Sequence, residues 1–327
     1  MRAAWYERRG PARDVLVVGE MPQPLPGDGE VRIRLAFSGI SPGDVKKRSG
    51  WQDSPMPYPR VVPHSDGAGT IDAVGAGVDG ARVGQKVWCY GAQSYRAFGT
   101  AAERVVLPDA QAVALPPDAD LAMMEQAASL GIAGITGWRA VFADGPVRGL
   151  TVLIWGAAAG VGAVALQMAV RDGARVLAVV RKIEQRKAAL DMGAHAAFLA
   201  DASDLVEALR AAAPDGAHRV ADVDFGGHID TNAKVLAIGG VICAYYSADH
   251  RPSIPYWTLG FADATLRLLG SDDFAPAVKA RAARELTAAL AEGRLASTIG
   301  ARLPLEDIVQ AHQRVERGAA GRTLLQL

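Results

Sequence analysis

The sequence predicts a two-part α/β protein, a rolled antiparallel β domain followed by a doubly wound parallel sheet. Three observations carry that prediction. Residues 1–120 read as short strands cut by Gly and Pro. From about residue 120, apolar strands alternate with helices. A glycine-rich turn joins the first of those strands to its helix.

In chain order, VRIRLAF (31–37) alternates apolar and polar residues with period two, as a half-buried strand does, and PQPLPGDG before it marks a turn. GAGTIDAVGAGV, VGQKVWCY and AERVVLP read as further short strands, which argues for a rolled sheet rather than helices. The Ala-rich stretch LAMMEQAASLGIAGITGWRAVF opens the second texture with helical spacing of Met124, Ala127 and Ala128. TVLIW (151–155) is a buried strand, and the helix after it ends at Gly173. RVLAVVR (175–181) is a strand before the helix EQRKAALDMG, and AAFLA is a strand before DLVEALRAAA. RVADVDF (219–225) and VICAYYS (241–247) read as two more strands. Alternating apolar strands and helices describe a parallel sheet covered on both faces. Pro276 opens a helix over 277–292, LEDIVQAHQRVERG is the last helix, and RTLLQL is a closing strand.

The chain has 327 residues, with 35 Lys and Arg against 35 Asp and Glu. That length builds a core without staples, and the neutral total excludes a bulk electrostatic pull toward nucleic acid or an anionic membrane. Two cysteines, Cys89 and Cys243, exclude a disulfide scaffold and a four-cysteine zinc lobe. The charged N-terminal segment and the lack of a long apolar run lead to the expectation of a cytoplasmic protein without a signal peptide.

The strongest local signal is Gly156-Ala157-Ala158-Ala159-Gly160-Val161-Gly162 after strand 151–155. Glycines there let backbone approach a pyrophosphate, and the N–H groups and dipole of the next helix hold the phosphates. The alternative is a packing turn in an α/β domain. An NAD-binding fold puts an acid about 20 residues beyond the glycines to accept the ribose 2′-hydroxyl. Here Arg181 and Lys182 stand at that place, with Arg186 and Lys187 after them. Cations there suit a 2′-phosphate, so NADPH is the expected cofactor and Arg181 its first reader, the alternative being solvated residues opening the next helix.

Met1–Tyr6, PLPGDGEVRIRLAFSGISPGDVKKRSG, PHSDGAGTIDAVGAGV, FGTAAERVVLP, LGIAGITGWRAVF, WGAAAGVGAVALQMA, DMGAH and LEDIVQAHQRVERGAAGR follow one another along nearly the whole chain. In order and spacing they resemble the medium-chain dehydrogenase/reductase superfamily, in its zinc-free, zeta-crystallin-like quinone oxidoreductase branch. The resemblance implies a GroES-like catalytic domain from residues 1–120 and 273–327, and a Rossmann dinucleotide-binding domain from 121–272. Zinc-dependent relatives carry a Cys where this chain has Ser41 and a His-Glu pair where it has Ser65-Asp66, with His64 one residue too early. Zinc is therefore not expected, and no flavin is expected either.

The resemblance further implies hydride transfer from NADPH to a quinone or an α,β-unsaturated carbonyl, the cofactor carrying the chemistry. Ser41 occupies a position where relatives commonly have Asn, and Lys46, Trp51 and Gln52 follow it on the same segment as substrate-side candidates. Trp51 stacks on a flat acceptor or simply packs a loop. On the cofactor side it suggests Thr136, Ala158, Gly160, Val161, Gly162, Arg181, Lys182, Arg186, Tyr245, Tyr246, Ser247 and Arg322. Ala200 stands where relatives often have a Tyr for the 2′-phosphate, and Arg322, where they carry Lys, has a surface charge as its alternative. An enoyl thioester or other activated alkene as acceptor, or NADPH binding without turnover, are the competing functions. A homodimer through Rossmann edge strands is implied, with TLRLLGS (265–271) as the edge.

Overall fold

The computed structural model describes residues 1–51 and 55–327. Along the chain come β1 (Arg2–Trp5), α1 (Ala12–Val15), β2 (Val17–Glu20), β3 (Glu30–Ile40), α2 (Pro42–Ser49), β4 (Asp66–Val74), β5 (Lys86–Cys89), β6 (Arg104–Pro108) and β7 (Ala112–Ala114). Next are α3 (Leu121–Ala127), α4 (Gly131–Phe142), β8 (Thr151–Trp155), α5 (Gly160–Asp172), β9 (Arg175–Val180), α6 (Ile183–Asp191), β10 (Ala196–Leu199) and α7 (Leu205–Ala212). The chain closes with β11 (Ala217–Asp222), α8 (Phe225–Val235), β12 (Leu236–Ala244), α9 (Tyr256–Phe261), β13 (Thr265–Leu268), α10 (Pro276–Ala291), β14 (Ile299–Pro304), α11 (Ile308–Glu316) and β15 (Arg322–Gln326).

Two compact units result, one from 1–133, 279–291 and 296–327, the other from 134–278 and 292–295. The sequence placed the division at 120/121 and 272/273. α3 instead packs on β3, β4 and β5 of the first unit, which carries that unit past residue 121.

In the first unit, the sheet runs β14-β15-β3-β4-β5-β7, with β6 also on β3. Alternation decides the faces of β3, where Val31, Ile33, Leu35 and Phe37 are buried and Arg34 is exposed. The C-terminal strand β15 returns antiparallel to β3, pairing Thr323 with Ile40. Contrary to the expectation of strands without helices, Pro42–Ser49 forms a helix. Pro42 sits at its first position, and the Asp44 carboxylate accepts the Ser41 N–H at 2.7 Å.

The second unit is a six-stranded parallel sheet ordered β10-β9-β8-β11-β12-β13. Successive residues of its buried strands face opposite cores. Val152, Ile154, Val176 and Ala178 meet Leu166 and Ala169 of α5, while Leu153, Trp155, Leu177 and Val179 meet Leu205, Leu209 and Ile229 of α7 and α8. Two strands end earlier than the sequence suggests. β11 stops at Asp222, whose Oδ1 accepts the Asp224 N–H at 2.8 Å, a local turn that frees Phe225 to begin α8. β12 stops at Ala244 and starts five residues early, at Leu236, through an irregular register near Gly239. Among the described residues, no helix is long and apolar enough to cross a membrane.

Candidate functional site

In the second unit, the strand order reverses direction between β8 and β11. Ligands of open parallel sheets bind beyond the carboxyl ends of the strands at such a point. The turn after Trp155 has Gly156 at φ +66° and Gly160 at φ +51°, conformations that L side chains rarely adopt. At Gly162 space decides instead, because a Cβ there would lie 2.3 Å from the Gly156 carbonyl oxygen. Val161, just before it, approaches α4 closely, since a Cβ on Gly137 would meet the Val161 carbonyl at 2.7 Å. Ala159 precedes α5 in extended conformation and offers no side-chain cap. The first-turn N–H groups of α5, from Gly160 to Gly162, thus stay available to an anion beside half-buried Ala158.

The tip of β9 carries Arg181 and Lys182, both exposed. Their backbone N–H groups are held by the Gln185 side chain at 3.2 and 3.1 Å. The other two cations of the cluster are committed elsewhere. Arg186 Nε donates to the Ala197 carbonyl at 2.9 Å, tying α6 to β10, and Lys187 pairs with Asp191 one turn on. Thr136, on α4, is buried and its Oγ1 has no protein partner. Beyond β12, Tyr245 is half-buried, and burial together with the Asp222 carboxylate pushes its phenol pKa upward. The Tyr246 carbonyl accepts from Phe225 N–H at 2.9 Å. Ser247 donates to the Asp249 carbonyl at 2.5 Å and accepts from Gly226 N–H at 3.1 Å. These contacts fold that loop onto the start of α8.

In the first unit, the ends of β15, β3 and β4 lie side by side and bring together Arg322, Ser41 and Asp66. Arg322 is buried, which overturns the surface-charge alternative. Its Nη2 lies 3.8 Å from Asp66 Oδ2, and burial holds its pKa below the usual arginine value. Asp66 Oδ1 and Oδ2 also accept the Ile132 N–H, both at 2.9 Å. Ser41 Oγ donates to Asp44 at 3.2 Å. Burial pushes the Asp44 pKa up to about 6, against the opposing effects of Ser41 and Arg322. Lys46 lies over the Trp51 ring, 5.6 Å from its centroid, and that indole is 43% exposed. Gln52 lies outside the described residues.

The buried histidines form a chain whose protons can be assigned by counting. Thr100 spends its hydroxyl hydrogen on the Asp66 carbonyl at 2.7 Å, so Ser38 donates to Thr100, also at 2.7 Å. Ser38 then has no hydrogen for His64, and His64 Nδ1–H must donate to Ser38 at 2.8 Å. The neutral His64 Nε2 therefore accepts from His312 Nε2–H at 2.9 Å. Burial lowers the pKa of both rings, His64 far below the usual value and His312 to about 3, helped in each case by a neighbouring group.

These residues do not fit zinc. Both His64 nitrogens are spent, Ser41 and Asp66 are engaged as described, and burial raises the Cys89 thiol out of the thiolate range. Cys243 is likewise buried, in β12. The turn fits a dinucleotide, because Gly162 leaves the close approach open and Thr136 offers an unspent hydroxyl.

The sequence reading missed one cluster in the second unit, formed by Trp155, Asp222, His228 and Asn232. Its only signal in the sequence is the i, i+4 spacing of His228 and Asn232 on α8, which becomes informative once Asp222 is placed opposite them.

Family models match in two places, the alcohol dehydrogenase GroES-like domain over residues 27–117 and the zinc-binding dehydrogenase over 160–271. Quinone oxidoreductase of Rattus norvegicus is 29% identical over 314 residues, covering 93% of this chain and 91% of the rat protein. The crystal structure of an NAD-dependent alcohol dehydrogenase superposes with a TM-score of 0.87 at 28% identity. A mycobacterial protein complexed with NADPH superposes at 0.85, also at 28% identity, and both structures cover the full length of both chains.

Proposed function

For a chain that belongs to the medium-chain dehydrogenase/reductase superfamily, on its quinone oxidoreductase branch, we propose NADPH-dependent reduction of a quinone or an α,β-unsaturated carbonyl without zinc. One observation carries the cofactor half of this reading. The glycine turn opens onto an uncapped helix, and the tip of β9 presents Arg181 and Lys182 where an NAD-selective sheet presents an acid. Gly160, Val161 and Gly162 would hold the pyrophosphate through backbone N–H groups, with Ala158 beside them. Arg181 and Lys182 would pair with the 2′-phosphate, and Arg186, with one nitrogen already spent, would add charge nearby. Thr136 would offer its free hydroxyl toward the nicotinamide half, with Tyr245, Tyr246 and Ser247 along the same carboxyl edge.

NADPH when bound supplies the hydride. The chain's own task is then to orient the acceptor and to meet negative charge developing on its oxygen. Ser41 is the donor proposed for that oxygen, its single hydroxyl hydrogen turning from Asp44 to the acceptor, with Arg322 offsetting nearby carboxylate charge. Lys46 and Trp51 are proposed to border the acceptor, Trp51 by stacking on a flat ring. Homology to quinone oxidoreductases supports this acceptor class.

Stopped-flow absorbance of NADPH, mixed with 1,4-benzoquinone, 9,10-phenanthrenequinone, an alkenal and an enoyl thioester, tests the function. Rapid oxidation with the quinones or the alkenal is expected. Oxidation with the thioester alone would move the acceptor class, and tight binding with no oxidation would leave a binding protein. A homodimer through β13 is also proposed, because this edge strand exposes Leu268, and α9, just before it in the chain, exposes Trp257 and Phe261. Sedimentation should give twice the chain mass, and a monomer at micromolar concentration would refute it.

A further inference from the structure

Trp155 and Asp222 are the last residues of β8 and β11, so they flank the point where the strand order reverses. His228, in the first turn of α8, bridges them. Its ring stacks on Trp155 with centroids 3.7 Å apart and planes 8° apart, and its Nδ1 lies 2.7 Å from Asp222 Oδ1. The remaining oxygen of Asp222 accepts Asn232 Nδ2 at 2.6 Å, and Asn232 Oδ1 accepts Trp155 Nε1 at 2.8 Å. Among the described residues, every side-chain polar atom of the cluster is thus used except one, His228 Nε2.

The buried carboxylate can only accept, so Nδ1 must carry a proton toward it. In the neutral ring Nε2 then presents a lone pair. The His228 side chain is 21% exposed while Asp222 is fully buried, so the imidazole is the part of the cluster that meets solvent. A brace for Asp222 alone would need neither a second ring nitrogen nor a ring stacked on Trp155, since Asp224 N–H and Asn232 already bond that carboxylate.

We propose that His228 reads the adenosine half of the dinucleotide, its Nε2 accepting a hydrogen bond from the ribose 3′-hydroxyl that NADPH and NADH share. This rests on the dinucleotide-binding reading above and assigns it a residue indifferent to the 2′-phosphate, in contrast to Arg181. Asp222, Asn232 and Trp155 are positioning residues that fix the tautomer and the ring plane.

The test is calorimetric titration of the full chain and of His228→Asn with NADPH, NADH, 5′-ADP and 3′-deoxy-ADP. Asn keeps a donor for Asp222 and removes Nε2. The expected result is about tenfold weaker binding of the first three ligands, by the same factor, and no difference for 3′-deoxy-ADP. Nitrogen-15 NMR of the wild-type imidazole supplies a readout independent of turnover. Nε2 should move on saturation with 5′-ADP while Nδ1 stays protonated, and Asp222→Asn should alter the tautomer. Unchanged affinity in His228→Asn, or an unmoved Nε2 resonance in a protein that binds dinucleotide, overturns the assignment. So does an equal loss with 3′-deoxy-ADP. A wild-type chain that binds neither dinucleotide overturns the cofactor reading itself, and the role of His228 with it.

Discussion

The two units hold their polar residues in opposite ways. At the rim of the parallel sheet, backbone donors of α5 stay open and Arg181 and Lys182 stand in solvent. In the antiparallel unit, Asp44, Asp66, His64, His312 and Arg322 are buried, with His64 bonded to His312, Asp66 paired with Arg322 and Asp44 bonded to Ser41. The first arrangement leaves interactions for a ligand. The second commits them to the fold, so it sets stability and its pH dependence. Substitutions of the solvent-exposed side chains at the rim should change binding more than folding, and those in the buried cluster should do the reverse.

The largest effect is expected at Arg322. Arg322→Leu leaves Asp66 and Asp44 buried without their shared cation and should cost about 3–5 kcal/mol in chemical denaturation. A loss below 1 kcal/mol would mean the cluster is not held by charge. Gly162→Ala comes next, because the new Cβ meets the Gly156 carbonyl at 2.3 Å. It should weaken NADPH binding by more than tenfold and lower stability by about 2–3 kcal/mol. Wild-type affinity in that variant would show that the turn has room.

The buried acid and the buried histidines should pull the pH dependence in opposite directions. Asp44 titrates at about 6 in the folded chain, against 3.8 as its ordinary value. Its ionisation therefore costs the folded state stability as pH rises from about 4 to 6. Asp44→Asn should remove that cost, gaining about 2–3 kcal/mol relative to wild type between pH 4 and pH 7. His312 titrates at about 3 in the folded chain and at 6.5 ordinarily. Its contribution is full above pH 6.5 and is lost as the pH falls from there toward 3. Denaturation midpoints at pH 4, 5.5 and 7 check both, and parallel profiles for wild type and Asp44→Asn would contradict the Asp44 account.

The same contrast explains what the sequence discloses. The glycine turn and the cationic tip of β9 were legible because each depends on residues close together in the chain, whereas the edge strand at 265–271 came only from the family resemblance. Helix α2 was not legible as a helix, because Pro42 and Gly43 read as turn residues until Ser41 and Asp44 are seen to cap them. The His64–His312 pair joins residues 248 positions apart, and Trp155 meets Asn232 across 77. No periodicity encodes such pairings, since they follow from strand order, as Arg322 does in meeting Asp66 through the return of β15. The direction of the Ser38–His64–His312 chain follows from counting hydrogens, which requires the distances first.

The most direct measurement is the ratio of NADPH to NADH dissociation constants for wild type and Arg181→Glu. Wild type should prefer NADPH, and the variant should lose about thirtyfold for NADPH with little change for NADH. Equal affinity of wild type for both cofactors, or an equal loss for both in Arg181→Glu, would contradict it.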